Sequence, residues 1–293
     1  LTPSFPTRRS SDLQDTSHTN ILAALATTKH EVAATVNTSN CAPNLALPVF
    51  DTASGKSLEH RQLRRRPKYK DIWDTSYANE LGRLCQGIGR HPTDPTKKRV
   101  EGTNTFRPIA YQNIPANRRK DVTYSRVVCE ERPQKEDPNR TSITIGGNKI
   151  SYPGDAGTKT GSLELVKMVI NSVLSRPGAR FATFDIKNFY LGTPLDRPEY
   201  VRIQFSVIPQ EIIIEYNLTE YVNEGWVYFE IAKGLYGLRQ VDKLANDLLT
   251  KRLEVHGYFQ CATTPGLWRH KWRPILFVLV VDDFGTEYVG QSY

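Results

Sequence analysis

Three absences bound the reading of this 293-residue chain. It has only four cysteines (Cys41, Cys85, Cys129 and Cys261), and no two form a CxxC pair. That excludes a close-spaced zinc site and a disulfide framework, and it fits a reducing compartment. No apolar run approaches the ~20 residues of a membrane span. No signal-peptide apolar segment is visible in the sequence. An intracellular protein, not secreted and without a membrane partner, is the expectation. No internal repeats are visible either. Positive charge is what the chain has in excess: 39 Lys and Arg against 31 Asp and Glu give a net charge of +8. That balance favours a polyanionic partner, nucleic acid ahead of membrane, although a plain soluble basic protein has the same composition. With 39% hydrophobic and 24% charged residues, most of the chain is expected to be globular, as one large domain or two ordinary ones.

The first seventy residues read differently from the rest. Residues 4–13 (SFPTRRSSDL) resemble the translation of a sequencing-adapter oligonucleotide and are set aside from fold reasoning. Residues 14–48 are rich in Thr, Ala, Asn and Ser, a composition of weak order, with one short amphipathic candidate at 21–27. Residues 57–70 hold six Lys or Arg and read first as a solvated linker, second as a nucleic-acid contact. Residues 14–70 are therefore expected to be a low-order linker.

From Asp71 the patterning is that of a folded chain. Trp73, Tyr77, Leu81 and Leu84 recur at helical spacing. Residues 86–120 read as irregular, and 123–128 as a strand. Segments 142–145 and 149–152 read as a hairpin, with Gly146-Gly147 supplying its turn. Ser162 caps a helix whose apolar positions Leu163, Val166, Ile170 and Val173 face a core, and Pro177-Gly178 stops it. Strands are expected at 181–185, 200–205 and 226–231. Leu244, Leu248, Leu249 and Leu253 mark a further helix. The fold class is α+β with an antiparallel sheet.

The chemistry concentrates at two strand ends. Seven apolar residues, 275–281, run directly into Asp282-Asp283, and 286–289 closes a hairpin. A buried strand ending in two acids is unfavourable unless something compensates the carboxylates, and a divalent cation with oxygen ligands does so. The segment 181–192 (FATFDIKNFYLG) repeats the pattern with Asp185. Two such ends, side by side in one sheet, suit two-metal phosphoryl transfer. Each signal alone is weak: most Asp-Asp pairs are surface turns, and a strand-end acid is often a helix cap.

The combination resembles the reverse transcriptase of copia-type LTR retrotransposons over roughly three-quarters of the chain, about 71–289. FDIKNFYLGTPL (184–195) is similar to that family's first carboxylate motif, and PEYVRIQF (198–205) to the segment after it. KGLYGLRQ (233–240) is close to its Leu-Tyr-Gly-Leu-Lys-Gln stretch. LVVDDFG (279–285) takes the place of its Tyr-Val-Asp-Asp box. The resemblance implies a right-hand polymerase palm with fingers over 71–293, the thumb missing. It implies an RNA-directed DNA polymerase of a retrotransposon polyprotein that acts on a primed RNA or DNA template with dNTP. Asp185, Asp282 and Asp283 would be catalytic and hold two Mg²⁺ ions, with Mn²⁺ as a substitute. Tyr190 would be an aromatic gate against a 2′-hydroxyl. Gln240 and Gly237 would lie against the incoming nucleotide, and Arg126 would clamp its triphosphate. Ordinary core packing, a surface amide, a turn and an exposed arginine are the respective plain readings of these four. Lys187 and Lys233 read as phosphate contacts or solvated charges.

The chain departs from the family pattern at Val280, where the box has an aromatic, and at Tyr124, where the arginine stretch has a lysine. It begins at Leu1 rather than Met and ends soon after the acidic pair. Both ends read as cut, and a fragment without its thumb is expected to be inactive by itself. A catalytically inactive nucleic-acid-binding relic of the same element is the alternative. A two-metal nuclease is a third reading, for which the expected roles of Tyr190 and Gln240 have no use.

Overall fold

The computed structural model describes residues 47–51, 54–135, 137–158 and 160–290. The adapter-like segment, most of 14–48 and Cys41 lie outside them. In chain order the elements are β1 (Leu47–Pro48), β2 (Phe50–Asp51), β3 (Lys56–Ser57), α1 (His60–Arg65), α2 (Pro67–Leu84), β4 (Gly87–Arg90), β5 (Lys98–Glu101) and β6 (Phe106–Ile109). There follow β7 (Thr123–Glu131), β8 (Asn139–Ile145), α3 (Leu163–Ser175), β9 (Ala179–Asp185), β10 (Pro194–Gln204), α4 (Gln210–Glu215), β11 (Val222–Asn223) and β12 (Trp226–Lys233). The chain continues through α5 (Val241–Val255), β13 (Tyr258–Gln260), β14 (Leu267–His270), β15 (Ile275–Val280) and β16 (Asp283–Val289). The fold is mixed α+β. No helix among the described residues is long and apolar enough to cross a membrane.

The chain divides into two compact units, with one boundary inside α5. The first holds Thr158–Lys187 and the chain from Asn246 onward. Its sheet is antiparallel throughout, in the order β13-β14-β15-β16-β9. Alternation along β15 sends successive side chains to opposite faces. Val278, with Leu276 and Val280, packs under Leu165, Val166 and Val169 of α3. Phe277 and Leu279 join Trp268 on the other face, where Leu249 and Leu253 of α5 cover them. The strand 275–281 is therefore buried from both sides at its centre. Ser162 caps α3 by accepting from the Leu165 N–H at 3.3 Å, which satisfies one of the free amides of the first turn. The buried stripe is Leu165, Val166, Val169 and Val173; Leu163, expected inside, is exposed at the helix start.

The second unit holds the described residues up to Gly157 and Asn188–Ala245. Its main sheet runs β1-β7-β10-β12-β11, with β8 paired to β7 and β6 to β12. The β7–β10 pair is parallel and the others are antiparallel. Trp73, Tyr77, Leu81 and Leu84 of α2 are all buried, as their spacing predicts.

Three expectations are corrected here. The basic run 57–70 is not a linker but α1 and the start of α2. Two of its arginines have acidic partners, Arg64 with Asp74 and Arg66 with Asp51, while Leu63 enters the core. Segment 86–120 is not irregular throughout, because β4, β5 and β6 lie in it. Gly146-Gly147 turns no hairpin, since β8 pairs back onto β7, Arg126 opposite Thr144. The two glycines serve close approach instead. A Cβ on Gly146 would lie 2.4 Å from the Tyr124 ring, and one on Gly147 would lie 2.0 Å from the Gly237 carbonyl oxygen.

Candidate functional site

The three expected metal ligands lie in the first unit. β16 pairs with β9 so that Asp283 stands opposite Asp185, and Phe284 opposite Phe184. Directly opposed residues share a face, with Cβ atoms ~5 Å apart, and like charges in that position repel. Register thus brings together two carboxylates nearly a hundred residues apart in sequence. The Ile186 N–H donates to the Asp282 carbonyl at 3.3 Å, which ties the exit of β9 to the turn that carries the third acid.

That turn is tight. Val280 pairs with Asp283, leaving Val281 and Asp282 as the only loop residues. Val281 has φ of 61°. A two-residue hairpin loop with positive φ at its first position is a type II′ turn, where glycine is the usual occupant. A β-branched residue there is strained by about 1–3 kcal/mol, and such strain persists only where the surroundings over-determine it. The strain sits beside the acids.

Electrostatics points the same way. Burial first, and then the neighbouring Asp283 and Asp185 charges, raise the Asp282 carboxyl to about 6. Burial and the Asp185 charge also raise Asp283. Asp185 itself is exposed. The cluster holds negative charge at a cost, which is the condition for taking up a cation. The donor type fits a hard divalent ion such as Mg²⁺. Convergence is less complete: among the described residues, no three His, Cys, Asp or Glu side chains are arranged to hold one metal ion.

The four expected substrate contacts lie in the second unit. Arg126 is exposed on β7, its guanidinium donating to the Tyr124 hydroxyl at 3.2 Å. Lys149 reaches the same ring, 5.7 Å from its centroid. Tyr124, where the family pattern has lysine, thus gathers two cations on one surface.

Two of the other three are held inside, and the third, Gly237, is exposed. Tyr190 is buried; its hydroxyl donates to Asp242, and its ring meets Tyr236 edge-on at 4.6 Å. Gln240 is 1% exposed, and its amide N–H donates to the Glu199 carboxylate at 3.1 Å. It is not the surface amide that one sequence reading allowed. Gly237 has φ of +98°, and a Cβ there would sit 2.1 Å from the Ile145 carbonyl oxygen. The Ile145 N–H in turn donates to the Tyr236 carbonyl at 2.9 Å. The glycine seats the 234–240 loop on the end of β8. Gly237→Ala should therefore lower stability by about 2–3 kcal/mol, from backbone strain and steric overlap. Urea denaturation measures this, and a loss below ~0.5 kcal/mol would refute the seating role. Lys233 is half-buried, and its ammonium donates to the Thr103 carbonyl.

The residue that sequence reasoning missed is Glu199. It is fully buried and receives Arg118, Arg197 and Gln240. A glutamate beside Pro198, one step from an apolar strand, gives no local signal of burial. Only its distant arginine partners make it tolerable.

No family model matches the chain, and no curated protein matches it.

Proposed function

We propose that this chain is the fingers-and-palm part of an RNA-directed DNA polymerase of the copia retrotransposon type. The observation that carries the reading is the opposition of Asp185 and Asp283 in one sheet, with Asp282 in the strained turn beside them. A fold that needed only stability would not set like charges across a ladder beside a strained valine.

In this reading Asp185, Asp282 and Asp283 hold two Mg²⁺ ions. When bound, such a pair of ions makes a primer 3′-hydroxyl easier to deprotonate and offsets the charge on the transferring phosphate. The residues of the chain supply the rest. The type II′ turn holds Asp282 beside the opposed pair Asp185 and Asp283, and the three carboxylates would have to draw closer together to hold a cation. Above about pH 6 the Asp282 carboxylate would be ionised and available to such an ion. Arg126, exposed and beside Lys149, takes the triphosphate. Tyr190 and Gln240, buried among their own neighbours, and Gly237, whose backbone packs on the end of β8, act by positioning the loop and helix on which they stand.

A second reading, a nucleic-acid-binding relic without catalysis, is favoured by the incomplete convergence of ligating side chains. One matched pair of assays separates these readings from the nuclease. The chain is given a primed RNA template with dNTP and Mg²⁺ or Mn²⁺, and in parallel the same template without dNTP. Templated extension of the primer supports the polymerase. Cleavage without dNTP would assign the acids to a nuclease. Strand binding with neither reaction would make the relic the correct description.

A further inference from the structure

The segment that ends β14 and leads into β15 carries a second feature of the first unit, at the opposite end of β15 from the acidic pair. It reads Arg269-His270-Lys271-Trp272-Arg273-Pro274, three bases interleaved with two aromatic rings and no acid. Trp272 is 72% exposed, the most open of the large aromatic side chains among the described residues. Arg269, Lys271 and Arg273 are exposed around it.

The loop is built rather than floppy. His270 is buried, and its Nδ1 accepts from the Trp272 N–H at 3.3 Å and the Arg273 N–H at 3.1 Å. With Nδ1 an acceptor, the proton is on Nε2, which donates to the His256 carbonyl at 3.1 Å. The Lys271 N–H donates to the Gly257 carbonyl at 3.0 Å. The Trp272 ring stands edge-on to the His270 ring, centroids 4.4 Å apart. Gly257 lies under it: a Cβ at 257 would come within 3.3 Å of the indole. One edge of the indole is thus packed and oriented, while most of its surface is left to solvent.

We propose that this loop is a stacking platform for single-stranded nucleic acid, with Trp272 taking a base and Lys271 and Arg273 lying along its phosphates. A pre-oriented aromatic ring between cations is the chemistry that binds such strands without sequence preference. The net charge of +8 favours the same partner. A lipid surface is the weaker fit, because a single ring with charged residues on both sides offers no apolar face to insert. The inference does not rest on the polymerase reading, since it needs neither the acids nor a metal.

The test is fluorescence anisotropy with labelled dT₂₀ and U₂₀, using the full chain in EDTA at two salt concentrations. Trp272→Ala should weaken binding at least 10-fold to both strands, with the melting temperature unchanged because the ring is exposed. Trp272→Phe should remain within about 3-fold of the wild type, as any aromatic face stacks. Lys271→Glu combined with Arg273→Glu should flatten the salt dependence. Equal binding by Trp272→Ala and the wild type would overturn the proposal. So would loss of binding to anionic vesicles with strand binding intact, which would assign the loop to membranes.

Discussion

Asp282→Asn is expected to make the metal-free protein more stable at neutral pH and to remove its response to divalent cations. The carboxyl of Asp282 is raised to about 6 in the folded chain, chiefly by burial and then by Asp283 and Asp185. Its unfolded value is near the ordinary aspartate value of ~3.9. A raised carboxyl means that the folded state holds the proton more tightly. The stability it contributes is complete below pH ~4 and is lost as pH rises through about 6. At pH 7.5 the wild type carries the full cost of the ionised group. Partial exposure screens that cost, so the neutral amide should recover about 1–2 kcal/mol. At pH 4 the two proteins should be nearly equal. Thermal melts in EDTA across this range measure the difference, and an asparagine variant less stable than wild type at pH 7.5 would refute the picture.

The cation response is the functional half of the same prediction. An ion that binds only the folded state stabilises it by about 2.7 kcal/mol at 100-fold excess over its dissociation constant. Mn²⁺ should therefore raise the melting temperature of the wild type and leave that of Asp282→Asn nearly unchanged. Incorporation, wherever the wild type shows it, should fall at least 1,000-fold, a loss of the size expected for a group that stabilises transition-state charge. An unchanged Mn²⁺ shift in the variant would remove Asp282 from the metal site.

The largest loss of stability is expected at Glu199. Arg118, itself nearly buried, pairs with Glu199 and also with Asp121 at 3.1 Å. Arg197 donates to the other Glu199 oxygen at 2.9 Å, and Gln240 reaches that same oxygen. Glu199→Ala strips the carboxylate from a buried guanidinium and a buried amide, whose carbonyl oxygen has no hydrogen-bond partner among the described residues. Removing one member of a buried ion pair costs about 3–5 kcal/mol, most of it from the group left behind. For a chain of this size that is a fall of roughly 10 °C in the transition that reports this unit. Replacing both partners with apolar residues, Glu199→Leu with Arg118→Leu, should recover much of the loss. A double-mutant cycle over the pair gives the coupling, and a value below ~0.5 kcal/mol would make the network incidental.

The same glutamate shows where sequence reading stops. The helix at 73–84, the capped helix after Ser162, the strands at 181–185 and 226–231, and the acidic hairpin were all legible, because each declares itself within a dozen residues. Periodicity, a capping serine and turn residues are local signals. The hairpin assigned to Gly146-Gly147 was not legible correctly, since a glycine that permits close approach looks the same in sequence as one that turns a chain. Nor was the basic run, whose arginines find Asp51 and Asp74 only after folding.

By itself, then, the sequence determined the alternation that buries β15, the capping of α3, and the carboxylates at two strand ends. The tertiary structure alone decided that Asp283 faces Asp185, that Val281 takes a left-handed conformation, and that Gln240 turns inward to Glu199. It also decided that Trp272 is oriented by His270 rather than free. The division has a physical cause. Local patterns fix what an element buries, whereas strand register and the pairing of buried charge depend on residues brought together from far along the chain.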